Sequence, residues 1–249
     1  MKIVVIGGTG LIGKKLTTLL TAAGHEAVPA APSTGVDTIT GEGLSAALKG
    51  ASVVVDVTNP KSFEESEARS FFTTSTTNLT AAEKTAGVAH HIAVSVVGAD
   101  RMDSGYMRAK VDQEKLLAAS GVPYTILRAT QFFEFLAAIG DFSTVNGEVR
   151  LPPILMQPVA ADDLANALAK LATGKPANGI VELAGPDRST MPELVGAVLK
   201  AKNDPRKVTV DASAKYVGSN VAKDTLVPEF PNPHITPTGF AAWQAAQAK

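Results

Sequence analysis

In the run Tyr106-Met107-Arg108-Ala109-Lys110 a phenol and an ammonium stand four residues apart, the spacing that places two side chains on one face of a helix about one turn from each other. A free phenol titrates near pH 10 and is a sluggish acid or base at neutral pH. An ammonium roughly 5 Å away contributes about 3 kcal/mol at an effective dielectric of 20, or about two pK units toward the working range. Before them in the chain, Ser95 lies near the end of the apolar run His91–Val96, which reads as a strand. Open α/β sheets bind their ligands at such strand ends, so Ser95, Tyr106 and Lys110 form a candidate acid–base constellation.

A second constellation is Gly7-Gly8-Thr9-Gly10-Leu11-Ile12-Gly13, which follows a Val/Ile run and opens a Leu-periodic segment. Glycines at these places let the chain turn tightly, let its backbone approach a pyrophosphate, and let helix and sheet pack closely. The free N–H groups and the positive end of the helix face the anion. In that context the motif points to a dinucleotide cradle made by Gly7, Thr9, Gly10, Leu11, Ile12 and Gly13. An Asp or Glu about 20 residues further on would hold the adenosine ribose of NAD. Here that count lands on Ser33 and Thr34, with no carboxylate between Glu26 and Asp37 and no Lys or Arg between Lys15 and Lys49. The expected cofactor is therefore NADP, with NAD possible, and a 2′-phosphate would rest on the two hydroxyls, backbone N–H groups and Lys14.

These residues need elements to position them. The runs Lys2–Ile6, Glu26–Ala30, Val36–Ile39, Ser52–Val57, His91–Val96 and Tyr124–Arg128 read as strands, and the better ones are continuous apolar runs, as in parallel strands buried on both faces. Between them, Leu11, Leu16, Leu19 and Leu20 have helical spacing, with Gly24 placed as a left-handed stop. Leu44–Leu48, Phe63–Thr85 and Met107–Ala119 read as further helices, the last closed by Gly121 and Pro123. The Thr73–Thr77 run falls on the face of the long helix. Such a series implies a doubly wound parallel sheet of Rossmann type. After Phe135 the pattern turns to mixed short elements: helix Asp163–Ala172, strand Gly179–Leu183, helix Pro192–Ala201 and a Pro-rich tail. The expectation is one domain over 1–249, with a core of about 1–134 and a small C-terminal substrate lobe of about 135–249 without a boundary of its own.

The 249 residues are 45% hydrophobic and 19% charged, with 23 Lys+Arg against 24 Asp+Glu and no Cys. That composition suits a globular protein with a sizeable core, gives no electrostatic footprint for nucleic acid or anionic lipid, and excludes thiol chemistry and thiolate metal sites. No apolar run reaches the length of a membrane span. Lys2 with Ile3–Gly13 reads as mature protein, because four glycines interrupt the stretch, Lys14 and Lys15 follow it and no cleavage site is present. A cytoplasmic location is expected, and the Asn78-Leu79-Thr80 sequon would not meet the glycosylation machinery. No metal ligand set is expected: His90 and His91 open a strand and point to opposite faces. Asp162-Asp163 reads as a helix N-cap with a favourable dipole interaction. Phe132, Phe133, Phe135 and Met156 suit an apolar substrate pocket or the core equally.

With the glycine loop, Val55-Asp56-Val57-Thr58-Asn59, Ser95-Val96-Val97-Gly98, Tyr106 with Lys110, and Pro123 to Phe132 in place, residues 1–200 resemble the atypical short-chain dehydrogenase/reductase superfamily, in its NmrA-like and isoflavone-reductase-like branch. By that resemblance Ser95 steadies a substrate carbonyl, Tyr106 gives or takes the proton, and Lys110 holds the nicotinamide ribose and lowers the phenol. Thr58, Asn59 and the Thr130–Phe132 turn, with Gln131, line the nicotinamide end. The resemblance implies an NAD(P)H-dependent oxidoreductase acting on a small apolar or aromatic carbonyl or quinone. It also allows a non-catalytic NADP(H)-binding redox sensor, or transient cofactor use as in sugar-nucleotide epimerases, for which the chain lacks a basic cradle to hold a second diphosphate.

Overall fold

Ile3, Val4, Val5 and Ile6 are each at most 2% exposed in strand β1 (Lys2–Ile6), as a parallel strand covered on both faces requires. The computed structural model describes residues 1–247. The chain divides into two units, the first made of Met1–Ser95, Gly105–Arg128 and Leu164–Val181 and the second of the remainder. After β1 the first unit continues with α1 (Leu11–Ala22), β2 (Glu26–Ala30), α2 (Leu44–Leu48), β3 (Val53–Asp56), α3 (Glu65–Ala86), β4 (His90–Val96), α4 (Gly105–Ala119) and β5 (Tyr124–Ala129), whose final residue, like that of β4, falls in the second unit. The second unit holds α5 (Leu136–Phe142), β6 (Thr144–Val145), β7 (Glu148–Leu151) and β8 (Leu155–Met156). Helix α6 (Ala161–Ala172) and strand β9 (Gly179–Ala184) each have residues in both units. Then come β10 (Ser189–Thr190), α7 (Met191–Ala201), β11 (Val208–Val210), β12 (His234–Ile235) and α8 (Phe240–Gln247).

The main sheet is parallel, with seven strands in the order β12-β9-β5-β4-β3-β1-β2. Its register aligns Val4 with Val28 on one side and Val54 on the other, and Val54 with His91. The chain therefore moves outward from β1 to β2 and then reverses to β3, which puts a crevice at the carboxyl ends of β1 and β3. On one face, Val4, Ile6 and Val54 pack with Leu44 and Leu48 of α2 and Leu79 of α3. Beyond them α3 and α4 meet through Ala68, Phe72 and Ala109. In the second unit, β7 pairs antiparallel with β6 and parallel with β11, and Phe133 packs its ring against Phe240 and Trp243 of α8.

Two expectations are corrected. Val36–Ile39 is not a strand: the Asp37 carboxylate accepts the Ile39 N–H at 2.7 Å, making a turn, and Asn78 of α3 donates to the carbonyls of Thr38 and Ile39. The buried Val36 and Thr38 imitate strand alternation without a ladder. Asp162 and Asp163 do not cap α6 but lie in its first turn, and Asp163 accepts the Thr238 N–H at 2.9 Å. Their favourable interaction with the helix dipole remains.

Candidate functional site

The glycine loop crosses the carboxyl end of β1. Gly7 has φ +80°, a conformation open to glycine at little cost, and its N–H donates to the Ala30 carbonyl at 2.8 Å. A Cβ on Gly13 would sit 2.3 Å from the Gly7 oxygen, and one on Gly8 would sit 2.6 Å from Pro29 Cα, so both glycines are fixed by backbone packing. Gly10 differs, for a Cβ there meets only the Gly7 oxygen, at 3.3 Å. Thr9, Gly10 and Leu11 are exposed and Ile12 half-buried, and no side chain caps the start of α1. The first-turn N–H groups of a helix have no acceptor within it. An open glycine before such a turn, at the sheet's reversal point, fits a pyrophosphate.

After β2, Ser33 and Thr34 lie exposed in a single 3-10 turn. Thr34 Oγ1 donates to the Ala31 carbonyl and accepts the Ala31 N–H, each at 2.9 Å. This loop bonding occupies the Thr34 hydroxyl, whereas Ser33 is exposed.

Beside the glycine loop is the turn after β3. A Cβ on Gly7 would lie 3.1 Å from the Val57 carbonyl carbon and oxygen, so the two segments meet backbone to backbone. Asp56, 2% exposed, fixes the turn: its Oδ1 accepts the Thr58 N–H at 2.9 Å and the Thr58 hydroxyl at 2.6 Å. The next residue, Asn59, is exposed, and its Oδ1 accepts the Tyr106 hydroxyl at 2.7 Å. The Tyr106 ring meets Phe63 edge-on at 5.0 Å and Phe72 at 6.0 Å. Thr58, Asn59 and Tyr106 are thereby brought together in the first unit.

Lys110 does share its helix face with Tyr106, since both side chains approach Phe72, yet the ammonium points inward. It donates to the Val94 carbonyl at 2.7 Å and to Gln113 Oε1, and lies 4.3 Å from the centroid of the Phe72 ring. Burial pulls it down to about 8, against the Asp56 and Glu114 carboxylates, which push it up. The phenol departs from expectation in the other direction, because burial pushes Tyr106 above the usual tyrosine range. Ser95, 3% exposed, donates its hydroxyl to Glu114 Oε1 at 2.6 Å, and Glu114 also takes a two-pronged contact from Arg128 at 2.9 and 2.7 Å. Ser95 and Tyr106 thus have separate partners.

In the second unit, the Thr130 hydroxyl donates to the Gln157 carbonyl at 2.7 Å, and Phe132, half-buried, bridges to Val159. Among the described residues neither polar atom of the Gln131 side chain has a hydrogen-bond partner, although both are buried. Such an amide carries a desolvation cost that a polar ligand would offset. Phe133 and Met156 are at most 1% exposed, and Phe135 packs on Phe142 at 5.9 Å. Core packing accounts for Phe133 and Met156, whereas Phe132 and Phe135 are only half-buried.

The sequence reading missed Asp56 and Gln113 as organisers of the site. Gln113 Nε2 donates to Asp56 Oδ2 at 3.2 Å, joining Lys110 to the Thr58 turn. Helical spacing held the signal, for Gln113 and Glu114 stand three and four residues after Lys110 and so share its inward face. His90 and His91 do point to opposite faces, His90 Nε2 toward the Thr125 hydroxyl at 2.9 Å and His91 Nδ1 toward Glu83 at 2.7 Å.

Residues 7–175 match the model of a family described as NAD(P)H-binding. No curated protein matches the chain in sequence. Among solved structures, UDP-glucose 4-epimerase of Thermus thermophilus in complex with NAD is 20% identical with a TM-score of 0.68, over 84% of this chain and 86% of that one. Triphenylmethane reductase of Citrobacter sp. complexed with NADP(H) is 19% identical with a TM-score of 0.61, over 86% and 80%. For dTDP-4-dehydrorhamnose reductase of Bacillus anthracis in complex with NADP the figures are 13% and 0.69, over 97% and 92%. At these identities the likeness is one of fold.

Proposed function

The chain belongs to the NAD(P)H-binding family, and from that membership we propose that it is an NADP(H)-dependent reductase of a small apolar carbonyl or quinone. The carrying observation is Tyr106, whose hydroxyl donates to Asn59 in the turn that packs against the glycine loop. The loop's N–H groups and the start of α1 would hold the pyrophosphate, and Ser33 the 2′-phosphate. A nicotinamide bound there would supply a hydride. As the carbonyl carbon gains that hydride, the carbonyl π pair moves to oxygen, which takes the Tyr106 proton while the O–H bonding pair stays on the phenol. Water then restores the phenol's proton. A phenol raised by burial is protonated at neutral pH but is a weaker acid than a free one, so its proton would be drawn off only by the strongly basic oxygen that develops as the carbonyl is reduced. Lys110 shares the phenol's helix face through Phe72.

The test is NADPH consumption against a panel of aldehydes, ketones and quinones, repeated with Tyr106→Phe. The ring's packing survives and the proton is lost, so kcat is expected to fall by about 10²- to 10⁴-fold while NADPH affinity changes little. A substrate reduced equally well by Tyr106→Phe would remove Tyr106 as proton donor. One observation favours a cofactor sensor as the second reading: the Lys110 ammonium spends two of its three donors on the Val94 carbonyl and Gln113 rather than on the phenol. A sensor binds NADPH and consumes none with any member of the panel.

A further inference from the structure

Lys110, Gln113, Asp56, Thr58, Asn59 and Tyr106 are joined by a path of hydrogen bonds and the Thr58–Asn59 peptide bond. Lys110 donates to Gln113, Gln113 donates to Asp56, Asp56 accepts both donors of Thr58, and neighbouring Asn59 accepts the Tyr106 hydroxyl. Gln113 and Asp56 are 3% and 2% exposed, so each polar atom must find its partner inside the protein. An ammonium only donates and a carboxylate only accepts. A link between them therefore needs an acceptor at one end and a donor at the other, which the carboxamide of Gln113 provides without adding charge.

We propose that Gln113 is a positioning residue: through Asp56 it sets the Thr58–Asn59 turn that receives the Tyr106 hydroxyl, and through the same amide it sets Lys110, so that the phenol and the ammonium are held as one unit. The proposal rests on the reductase reading for its functional meaning but not for its geometry. A carboxylate at position 113 would still accept from Lys110 yet would repel Asp56. An alkyl side chain there would serve neither partner, and loss of the Thr58 hydroxyl would weaken the same path from its far end.

The chain has three tyrosines, so protein labelled at the tyrosine Cζ gives three carbon resonances, and Tyr106→Phe assigns the one concerned. In cofactor-free protein, Gln113→Glu, Gln113→Leu and Thr58→Val are each expected to move the Tyr106 resonance and leave those of Tyr124 and Tyr216 in place. With NADPH and a carbonyl substrate, the two Gln113 variants should lose about tenfold to a hundredfold in kcat, as small misplacements of reacting groups do, with less change in the KM for NADPH. Gln113→Glu is nearly isosteric, and Thr58→Val alters a half-buried turn, so a measurement survives if Gln113→Leu does not fold. An unmoved Tyr106 resonance in the folded variants overturns the proposal, and so does a shift shared by all three tyrosines, which would mark a general loosening. A moved resonance in a protein whose wild type consumes no NADPH upholds the positioning role and ends only the reductase reading.

Discussion

Gly10 is where the fold and the ligand make different demands. A Cβ there meets one backbone oxygen at 3.3 Å, and the residue's φ of −79° suits any side chain, so a substitution needs the Gly7 carbonyl to shift by only a few tenths of an ångström. A pyrophosphate drawn to the first turn of α1 needs that same space. Gly10→Val is expected to keep its far-UV circular dichroism while losing at least about tenfold in NADPH affinity, or about 1.4 kcal/mol. Calorimetry giving an unchanged dissociation constant would take the loop out of the site. Gly13→Ala is a different case, with its Cβ 2.3 Å from the Gly7 oxygen, and it should disturb the loop before any ligand arrives. At this scale much of the site was legible: the glycine spacing and the shared face of Tyr106 and Lys110 are local properties of the chain. What the ammonium does with its charge was not, because Phe72 of α3, the Val94 carbonyl of β4 and the Asp56 carboxylate behind Gln113 come from distant segments that i, i+4 spacing does not report.

Between α3, α4 and the strands, the elements enclose Asp56, Glu83 and Glu114 with Lys110, Arg128 and His91, all at most 6% exposed. Three carboxylates face the Lys110 ammonium, the Arg128 guanidinium and the His91 imidazole. Burial pulls the imidazole down, but the Glu83 charge, its hydrogen bond and the Asp56 charge outweigh it and leave His91 raised. A raised folded value means that the pair's stabilisation is complete below the unfolded value of about 6.5 and is lost as pH rises through the folded one. Urea unfolding across that range should show stability declining with pH. Glu83→Gln should flatten the decline and cost about 3–5 kcal/mol at the acid end, and a slope that persists in this variant would assign it to other groups. The fold was legible where elements are long or uniformly apolar, as in β1, β3 and α3. It was not legible at Val36–Ile39, where turn hydrogen bonds from Asp37 and Asn78 produce the alternation of a strand, nor at β12, since two residues carry no periodicity.

For the whole molecule the nearly even charge leaves cofactor binding to local contacts, so ligand and stability are linked mainly by mass action. NADPH at a hundred times its dissociation constant adds about 2.7 kcal/mol to the folded state, which corresponds to about 5–11 °C in thermal midpoint for a chain of this size. NADH at the same concentration should shift the midpoint less, because Ser33 offers a phosphate a hydroxyl donor and no carboxylate stands there to grip a ribose. A larger shift with NADH would reverse the preference. At the margin of the main sheet, β12 joins the second half of β9 through His234 opposite Leu183 and Ile235 opposite Ala184. Pro233 and Pro237 bracket it, and neither can donate a ladder hydrogen bond. The outermost strand is thus too short and too poor in donors to template pairing with another molecule. If the chain ended before Pro233, β9 would offer Leu183 and Ala184 as a bare edge and Phe133 would lose its cover from Phe240 and Trp243, so the Pro-rich tail and α8 together shield a strand edge and a core ring, and their trimming is expected to show first as aggregation.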